Sequence, residues 1–132
     1  MDKKPLVLII DDEEDIRTMV KLKLQANGFD VREAGDGIEG FDLAKETKPN
    51  LILLDLVMPT LNGVETLSRL KTEDSTKDIK VFLFTGKGDP RPDINEASKQ
   101  FAIQNGAVDF IRKETDLNEI VNILKKAIGI NA

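Results

Sequence analysis

Acidic side chains follow two apolar segments of the chain, and their chemistry is that of oxygen ligands and of a carboxylate nucleophile. Asp11 and Asp12 come directly after LVLII and open a run of five acidic residues, whereas Asp55 comes directly after LILL. Adjacent carboxylates repel one another unless a cation lies between them, and Mg²⁺ binds through carboxylates, water and a phosphate. Capping of the following helix accounts for one or two of these acids. Together the three aspartates favour a Mg²⁺ site.

Two other polar side chains also follow apolar segments. Thr85 ends VFLFT, and Lys113 comes two residues after Ile111. Each is ordinary when taken alone, because threonine is common in strands and lysine is common on surfaces. A lysine can neutralise one phosphoryl oxygen, and a hydroxyl can donate a hydrogen bond to another. With the aspartates they outline a site for an aspartyl phosphate, in which Asp55 is the nucleophile.

The composition excludes several other kinds of chemistry. The 132 residues include no cysteine and no histidine, which excludes disulfides, thiol nucleophiles, imidazole bases and most zinc sites. A formal net charge of −5 and the absence of a Lys/Arg cluster argue against direct binding of nucleic acid. The sequence has neither a signal peptide nor an apolar run of about 18 residues, so we expect a cytoplasmic protein without membrane insertion.

Five short apolar segments rich in branched residues predict five strands. They are Leu6–Ile10, Phe29–Val31, Leu51–Leu54, Val81–Phe84 and Val108–Ile111. The first, third and fourth are apolar at nearly every position, which is typical of parallel strands covered on both faces. Helical spacing of apolar residues follows each strand, most clearly after Asp116. This alternation predicts an α/β fold with a doubly wound, five-stranded parallel sheet and five helices on two faces.

The predicted sheet also explains why the polar residues matter together. Ligands of open parallel sheets bind beyond the carboxyl ends of the strands. Asp11, Asp12, Asp55, Thr85 and Lys113 all lie at or just after such ends. We therefore expect them to converge at one edge of the sheet.

These segments make the chain similar to the receiver domains of response regulators in two-component signalling. The matching segments are LVLIIDDEEDIR, LILLDLVMPTLNG, VFLFTGKGD and NGAVDFIRK, in that order, and the resemblance covers residues 5–128. It implies a flavodoxin-like receiver with strand order 2-1-3-4-5. It also implies one receiver domain at residues 5–129 with no output domain.

The resemblance implies a role for each candidate residue of the metal site. Asp55 would be the phosphoacceptor, and Asp11 and Asp12 would be the acid pair that holds Mg²⁺. Asp55 itself and the backbone carbonyl of Val57 would be further ligands.

The resemblance also implies the remaining catalytic and switch residues and the partners. Lys113 would be the phosphate counterion, Thr85 the switch hydroxyl and Phe110 the switch aromatic, although Phe110 also suits the core of the fifth strand. The phosphoryl donor would be a sensor histidine kinase or a histidine phosphotransfer protein, because this chain has no histidine. The phosphorylated form would act on a downstream protein target, and the chain would catalyse its own phosphorylation and dephosphorylation without turning over a separate substrate.

Three positions depart from the family pattern. Glu114 follows Lys113 where the family usually has proline, commonly after a cis peptide bond. A cis bond before a residue other than proline costs about 2.5–4 kcal/mol, so we predict a trans bond with a reshaped loop, or else a strained bond.

The stretch from Thr85 to Gly106 is several residues longer than usual, which is either a tolerated surface insertion or a partner-specific edge. Gly86 replaces the commoner alanine and is more permissive.

Three alternatives come from other classes of protein. A phosphohydrolase of the haloacid-dehalogenase kind would carry a second acid two residues after its nucleophile, where this chain has Val57, and would need a cap domain. A flavodoxin-like nucleotide or flavin binder would need a Gly-rich or Ser/Thr-rich phosphate loop after the first strand. A degenerate receiver that binds a protein independently of phosphorylation is kept open by Glu114.

Overall fold

Five parallel strands form one sheet in the order β2-β1-β3-β4-β5 in the computed structural model, which describes residues 4–56, 63–86, 100 and 103–130. The strands are β1 (Leu6–Ile10), β2 (Asp30–Ala34), β3 (Leu51–Asp55), β4 (Lys80–Thr85) and β5 (Asp109–Arg112). Every neighbouring pair is parallel. The predicted fold class and strand order are confirmed.

Four helices connect or follow these strands within the described ranges. They are α1 (Glu14–Ala26), α2 (Gly37–Thr47), α3 (Gly63–Thr72) and α4 (Leu117–Ala127). Ile94, Ala97 and Phe101, which the sequence placed in a further helix, lie outside the described residues. Gln100, Ile103 and Gln104 near the end of that segment are helical. The helix α4 therefore corresponds to the last of the five predicted helices. None of the described helices, the longest of which has 13 residues, has the length and apolar character that a membrane span requires.

The second strand differs from its prediction. The apolar run predicted a strand at Phe29–Val31, but β2 spans Asp30–Ala34. Phe29 precedes the strand, and its side chain is buried in the core. An apolar residue of this kind resembles a strand residue in the sequence, so the prediction included it. β2 is an edge strand that pairs only with β1, and its residues alternate between exposed and more buried positions. The two apolar residues of Phe29–Val31 are therefore a poor guide to the position of this edge strand.

The central strands are buried on both faces of the sheet. On β1 and β3, successive side chains alternate between two apolar clusters, as the pleat of a strand requires. One cluster is covered by Ala44 of α2 and by Leu67 and Leu70 of α3. The other is covered by α1 and α4, which contribute Val20, Leu24, Ile120, Val121 and Leu124. The two helical layers hold the carboxyl ends of the strands at one edge.

Side-chain hydrogen bonds cap the N-termini of two helices. Asp36 accepts a hydrogen bond from the backbone N–H of Glu39 at the start of α2, over 2.8 Å. Asp116 accepts one from the backbone N–H of Asn118 at the start of α4, also over 2.8 Å. Gly129 follows α4 with a φ of +80°, a conformation that glycine adopts without strain. These local signals fix where α2 and α4 begin and where α4 ends.

Candidate functional site

The strand register brings the candidate side chains to one edge of the sheet. Asp11 follows β1, Asp55 ends β3, Thr85 ends β4 and Lys113 follows β5, and these four strands are consecutive neighbours. Asp11, Asp55 and Thr85 are almost fully buried, at 0%, 2% and 1% exposure. Buried polar residues of this kind are rare unless they are paired or bind a ligand. The convergence predicted from the sequence is confirmed for these four residues.

Three carboxylates form an acidic cluster at this edge. One oxygen from each of Asp11, Asp12 and Asp55 lies within 4.8 Å of the other two. Asp12 Oδ1 is buried and accepts no hydrogen bond within the described part of the chain. Burial raises the pKa of Asp11, and its contacts with Lys113 and with the Glu13 backbone only partly oppose this rise. An all-oxygen, anionic donor set with an unsatisfied buried oxygen fits a hard divalent cation such as Mg²⁺.

The Lys113 ammonium lies among these carboxylates. Its Nζ is 2.8 Å from Asp11 Oδ2, 2.6 Å from Glu13 Oε1 and 3.5 Å from Asp55 Oδ2, and the lysine side chain is only 7% exposed. Burial alone would lower the pKa of Lys113. The hydrogen bonds to Asp11 and Glu13 and the charge of Asp55 outweigh that effect and raise it, so Lys113 remains an ammonium.

The backbone around Lys113 links it to the neighbouring strand. The Lys113 N–H donates a 2.7 Å hydrogen bond to the carbonyl of Thr85. No cis peptide bond occurs among the described residues, so the bond between Lys113 and Glu114 is trans. A trans bond is one of the two outcomes that the sequence predicted in the absence of proline, the other being a strained bond. The loop therefore positions the ammonium without the proline that the family usually has.

Thr85 and Phe110 occupy different environments near this edge. Thr85 Oγ1 is buried and has no hydrogen-bond partner among the described residues, so the hydroxyl is available to a ligand. Phe110 is half-buried and packs against the cluster that α2 and α3 cover, with the Arg112 guanidinium 5.7 Å from its ring centre. Phe110 is thus neither fully buried in the core nor fully exposed, and its role as the switch aromatic stays a prediction. Val57, the predicted carbonyl ligand, lies outside the described residues.

A network that the sequence did not reveal holds the Asp11 backbone. The Asp11 N–H donates to the Ala34 carbonyl over 3.0 Å, and Asp11 Oδ1 accepts from the Glu13 N–H over 2.8 Å. Arg17 donates to the Asp11 carbonyl over 2.7 Å and also pairs with Glu33 on β2. The position of Arg17 one turn into α1 is the only sequence signal for this contact, and a surface arginine has the same pattern.

Gly63 is a second residue whose importance is visible only in the structure. A Cβ atom at this position would lie 2.2 Å from the Asp55 carbonyl oxygen and 2.5 Å from Leu56 Cα. The Gly63 N–H donates to the Leu56 carbonyl over 2.9 Å. In the sequence, Gly63 is the last residue of the segment LILLDLVMPTLNG, which does not reveal how close this residue comes to Asp55. The structure shows that the start of α3 lies directly against the backbone that carries Asp55, where a side chain has no room.

Comparisons with known proteins agree with this geometry. The sequence profile of the response regulator receiver domain family matches residues 7–125. The chain is 36% identical to the DNA-binding dual master transcriptional regulator RpaA of Synechocystis over 117 residues, which are 89% of this chain and 46% of RpaA. It is 34% identical to the phosphate regulon transcriptional regulatory protein PhoB of Pseudomonas aeruginosa over 122 residues, 92% of this chain and 51% of PhoB.

Solved structures agree at the level of the whole fold. The chemotaxis response regulator CheY4 of Vibrio cholerae superposes with a TM-score of 0.82 at 26% identity, covering 94% of this chain and 98% of CheY4. The chain spans about half the length of RpaA and PhoB but nearly all of CheY4.

Proposed function

Because this chain belongs to the response regulator receiver domain family, we propose that Asp55 accepts a phosphoryl group. Receiver domains act with histidine kinases, and the donor here would be the phosphohistidine of a sensor kinase or of a phosphotransfer protein. The chain has no histidine of its own, so the donor is external. The observation that carries the proposal is the burial of Asp55 between two other carboxylates and the Lys113 ammonium.

Asp11, Asp12 and Asp55 would hold Mg²⁺, and the backbone carbonyl of Val57 is the further ligand that we propose. When bound, the ion supplies positive charge that offsets repulsion between the Asp55 carboxylate and the oxygens of an incoming phosphoryl group. The fit of the three carboxylate oxygens supports this assignment.

In the proposed reaction, a carboxylate oxygen of Asp55 attacks phosphorus. The P–O bond forms as the P–N bond to the donor imidazole breaks, and the imidazole leaves with that electron pair and takes a proton from solvent. Lys113 stabilises the charge on a transferring oxygen, and the Thr85 hydroxyl donates a hydrogen bond to another. Positioning and charge, rather than a proton-transfer group, carry the catalysis.

Phosphorylation would then change the surface beside β5. Thr85 moves toward the phosphoryl group, and Phe110 follows it from its half-buried position, which shifts a conformational equilibrium that a downstream protein reads. RpaA is named as DNA-binding, but the chain spans about half of RpaA. Direct contact with nucleic acid is therefore not part of the function proposed for this chain.

The alternative of a degenerate receiver is not favoured. Asp11, Asp12, Asp55, Thr85 and Lys113 are all present, and the trans bond before Glu114 leaves Lys113 in contact with Asp11 and Asp55. A module that binds a protein independently of phosphorylation does not require these five side chains.

The test is the intact mass of the protein after incubation with acetyl phosphate, with and without Mg²⁺. The wild type is expected to gain the mass of one phosphoryl group only when Mg²⁺ is present, and Asp55→Asn is expected to gain none. Asp42→Asn is the matched control, because Asp42 is an exposed aspartate on α2. Phosphorylation of Asp55→Asn to the same extent as wild type would contradict the assignment.

A further inference from the structure

Glu13 occupies the N-cap position of α1 but does not cap the helix. Residues at this position usually accept a hydrogen bond from the first turn through a short polar side chain. Glu13 has the extended backbone of an N-cap, with φ −90° and ψ 102°, yet its side chain accepts no hydrogen bond from the helix. Its Oε1 instead lies 2.6 Å from Lys113 Nζ, which is 100 residues away in the sequence. Helix capping therefore does not explain this acidic side chain.

The lysine that Glu13 contacts also occupies part of the acidic cluster. Lys113 Nζ is 2.8 Å from Asp11 Oδ2 and 3.5 Å from Asp55 Oδ2. An ammonium this close to both carboxylates repels a divalent cation bound by the same groups. Binding of the cation therefore requires Lys113 to withdraw from Asp11.

Lys113 can keep its ion pair with Glu13 while it withdraws from Asp11. Glu13 is not part of the three-carboxylate cluster, and its side chain is 50% exposed. Its contact is also the shortest of the three ion pairs that Lys113 makes in the described part of the chain. Without the Glu13 carboxylate, the carboxylate partners left to the ammonium in the described part of the chain would be Asp11 and Asp55, which the cation needs.

We propose that Glu13 is a positioning residue for Lys113, retaining the ammonium beside the site while the three aspartates take up a divalent cation. The inference rests on the proposed function, because it concerns the same aspartates. Under this proposal Glu13, which lies outside the three-carboxylate cluster, helps to set the affinity for the cation. Glu13 lowers the competition between Lys113 and the metal.

The test is a Mg²⁺ titration of wild type, Glu13→Gln and Glu14→Gln, followed by backbone amide NMR shifts because the chain has no tryptophan or tyrosine. Glu13→Gln is expected to weaken Mg²⁺ binding about three- to fivefold, as for the loss of one partly exposed ion pair. Glu14→Gln removes the same charge from the adjacent exposed residue, which has no ion pair with Lys113. It is expected to leave the affinity close to that of wild type.

A second background separates contact with Lys113 from long-range charge. In Lys113→Met the competing ammonium is gone, so Mg²⁺ binds more tightly, and adding Glu13→Gln is expected to change the affinity no further. Equal weakening by Glu13→Gln in both backgrounds would mean that Glu13 acts on the cation directly, and would overturn the proposal.

A capping variant excludes an effect through the stability of α1. Glu13→Asn removes the carboxylate but supplies a good N-cap side chain, and it is expected to weaken Mg²⁺ binding as Glu13→Gln does. Wild-type affinity in Glu13→Asn, or equal affinities for Glu13→Gln and Glu14→Gln, would overturn the role of Glu13 alone. Failure of the wild type to bind Mg²⁺ would instead overturn the proposed function.

Discussion

At the scale of single residues, several carboxylates share the Lys113 ammonium as their counterion. Lys113 contacts Asp11, Glu13 and Asp55 at once, while Asp12 adds a further acid to the same edge. Among the described residues at this edge, the acids outnumber the one lysine, which favours the binding of a cation. The raised pKa of Asp11, caused by burial, is the expected consequence of removing such a charge from water.

Glu33 gives a pH-dependent contribution to stability through its partners on α1. The pKa of Glu33 is lowered mainly by the hydrogen bond from Lys21. Burial opposes this effect, and the hydrogen bond from Arg17 lowers the pKa further. A lowered folded-state pKa means that the contribution is present above the ordinary pKa of 4.5 and is lost as the pH falls through the lowered value. Glu33→Gln is expected to reduce the free energy of unfolding at pH 7 by about 0.5–1 kcal/mol.

Urea unfolding at pH 7 and in strong acid measures this effect. The difference between Glu33→Gln and wild type should shrink toward zero in acid, because Glu33 is then protonated in both the folded and unfolded states. Glu46→Gln, on the exposed side of α2, serves as the control and should match wild type at both pH values. A difference that is constant with pH would contradict the ion-pair explanation.

Gly86 stands where the family more commonly has alanine, and the variant Gly86→Ala measures how this difference affects stability. Among the described residues, a Cβ atom there would meet only Lys113 Cδ, at 3.9 Å, and the φ of Gly86 lies outside the left-handed region. Gly86→Ala is therefore expected to raise the free energy of unfolding by about 0.4–1 kcal/mol, because alanine restricts the unfolded chain. Chemical denaturation checks this, and a clear destabilisation would show that the loop needs glycine.

Residues that carry chemistry were easier to predict than residues that position them. Asp11, Asp55, Thr85 and Lys113 were predicted to converge because each follows an apolar segment, and the structure confirms this. Arg17 was missed because its hydrogen bond to the Asp11 carbonyl depends on how α1 lies against β2. A sequence period shows which face of a helix is apolar, but not which backbone carbonyl a polar side chain reaches.

At the scale of elements, the contact between β3 and α3 limits what residue 63 can be. Gly63→Ala is expected to lower the free energy of unfolding by about 1–3 kcal/mol, because its Cβ would overlap the backbone of Asp55 and Leu56. It should also slow phosphorylation by acetyl phosphate, since any relief of the overlap moves the backbone of Asp55. Thermal unfolding and intact mass measure the two effects.

Gly86→Ala is the matched control for Gly63→Ala, because it adds the same methyl group near the site where space exists. Normal stability and phosphorylation of Gly63→Ala would show that α3 shifts without disturbing β3.

The elements themselves were predicted unequally. β1, β3 and β4 are buried on both faces, so their apolar runs located them within a residue or two. β2 lies at the edge of the sheet and contains Arg32 and Glu33, so the apolar run located only its beginning. Its full length is set by pairing with all five residues of β1, which is a tertiary constraint.

At the scale of the whole molecule, the acidic cluster links cation binding to stability. Asp12→Asn removes one of three neighbouring carboxylates and is expected to make the metal-free protein as stable as wild type or more so. The proposed binding of Mg²⁺ to the folded wild type should raise the thermal midpoint with Mg²⁺ concentration, whereas Asp12→Asn should respond much less. Thermal unfolding across a Mg²⁺ series tests both, and Asp15→Asn, an exposed acid in the same run, should respond as wild type does.

The hydrogen bond from the Lys113 N–H to the Thr85 carbonyl gives the protein a built-in reporter. This single amide proton joins the residue proposed as counterion to the residue proposed as switch, across the β4–β5 pair. Its resonance frequency and its protection from solvent exchange depend on the separation of the two strand ends. One assigned peak can therefore follow the resting and active populations over time, without an added dye or an engineered fluorophore.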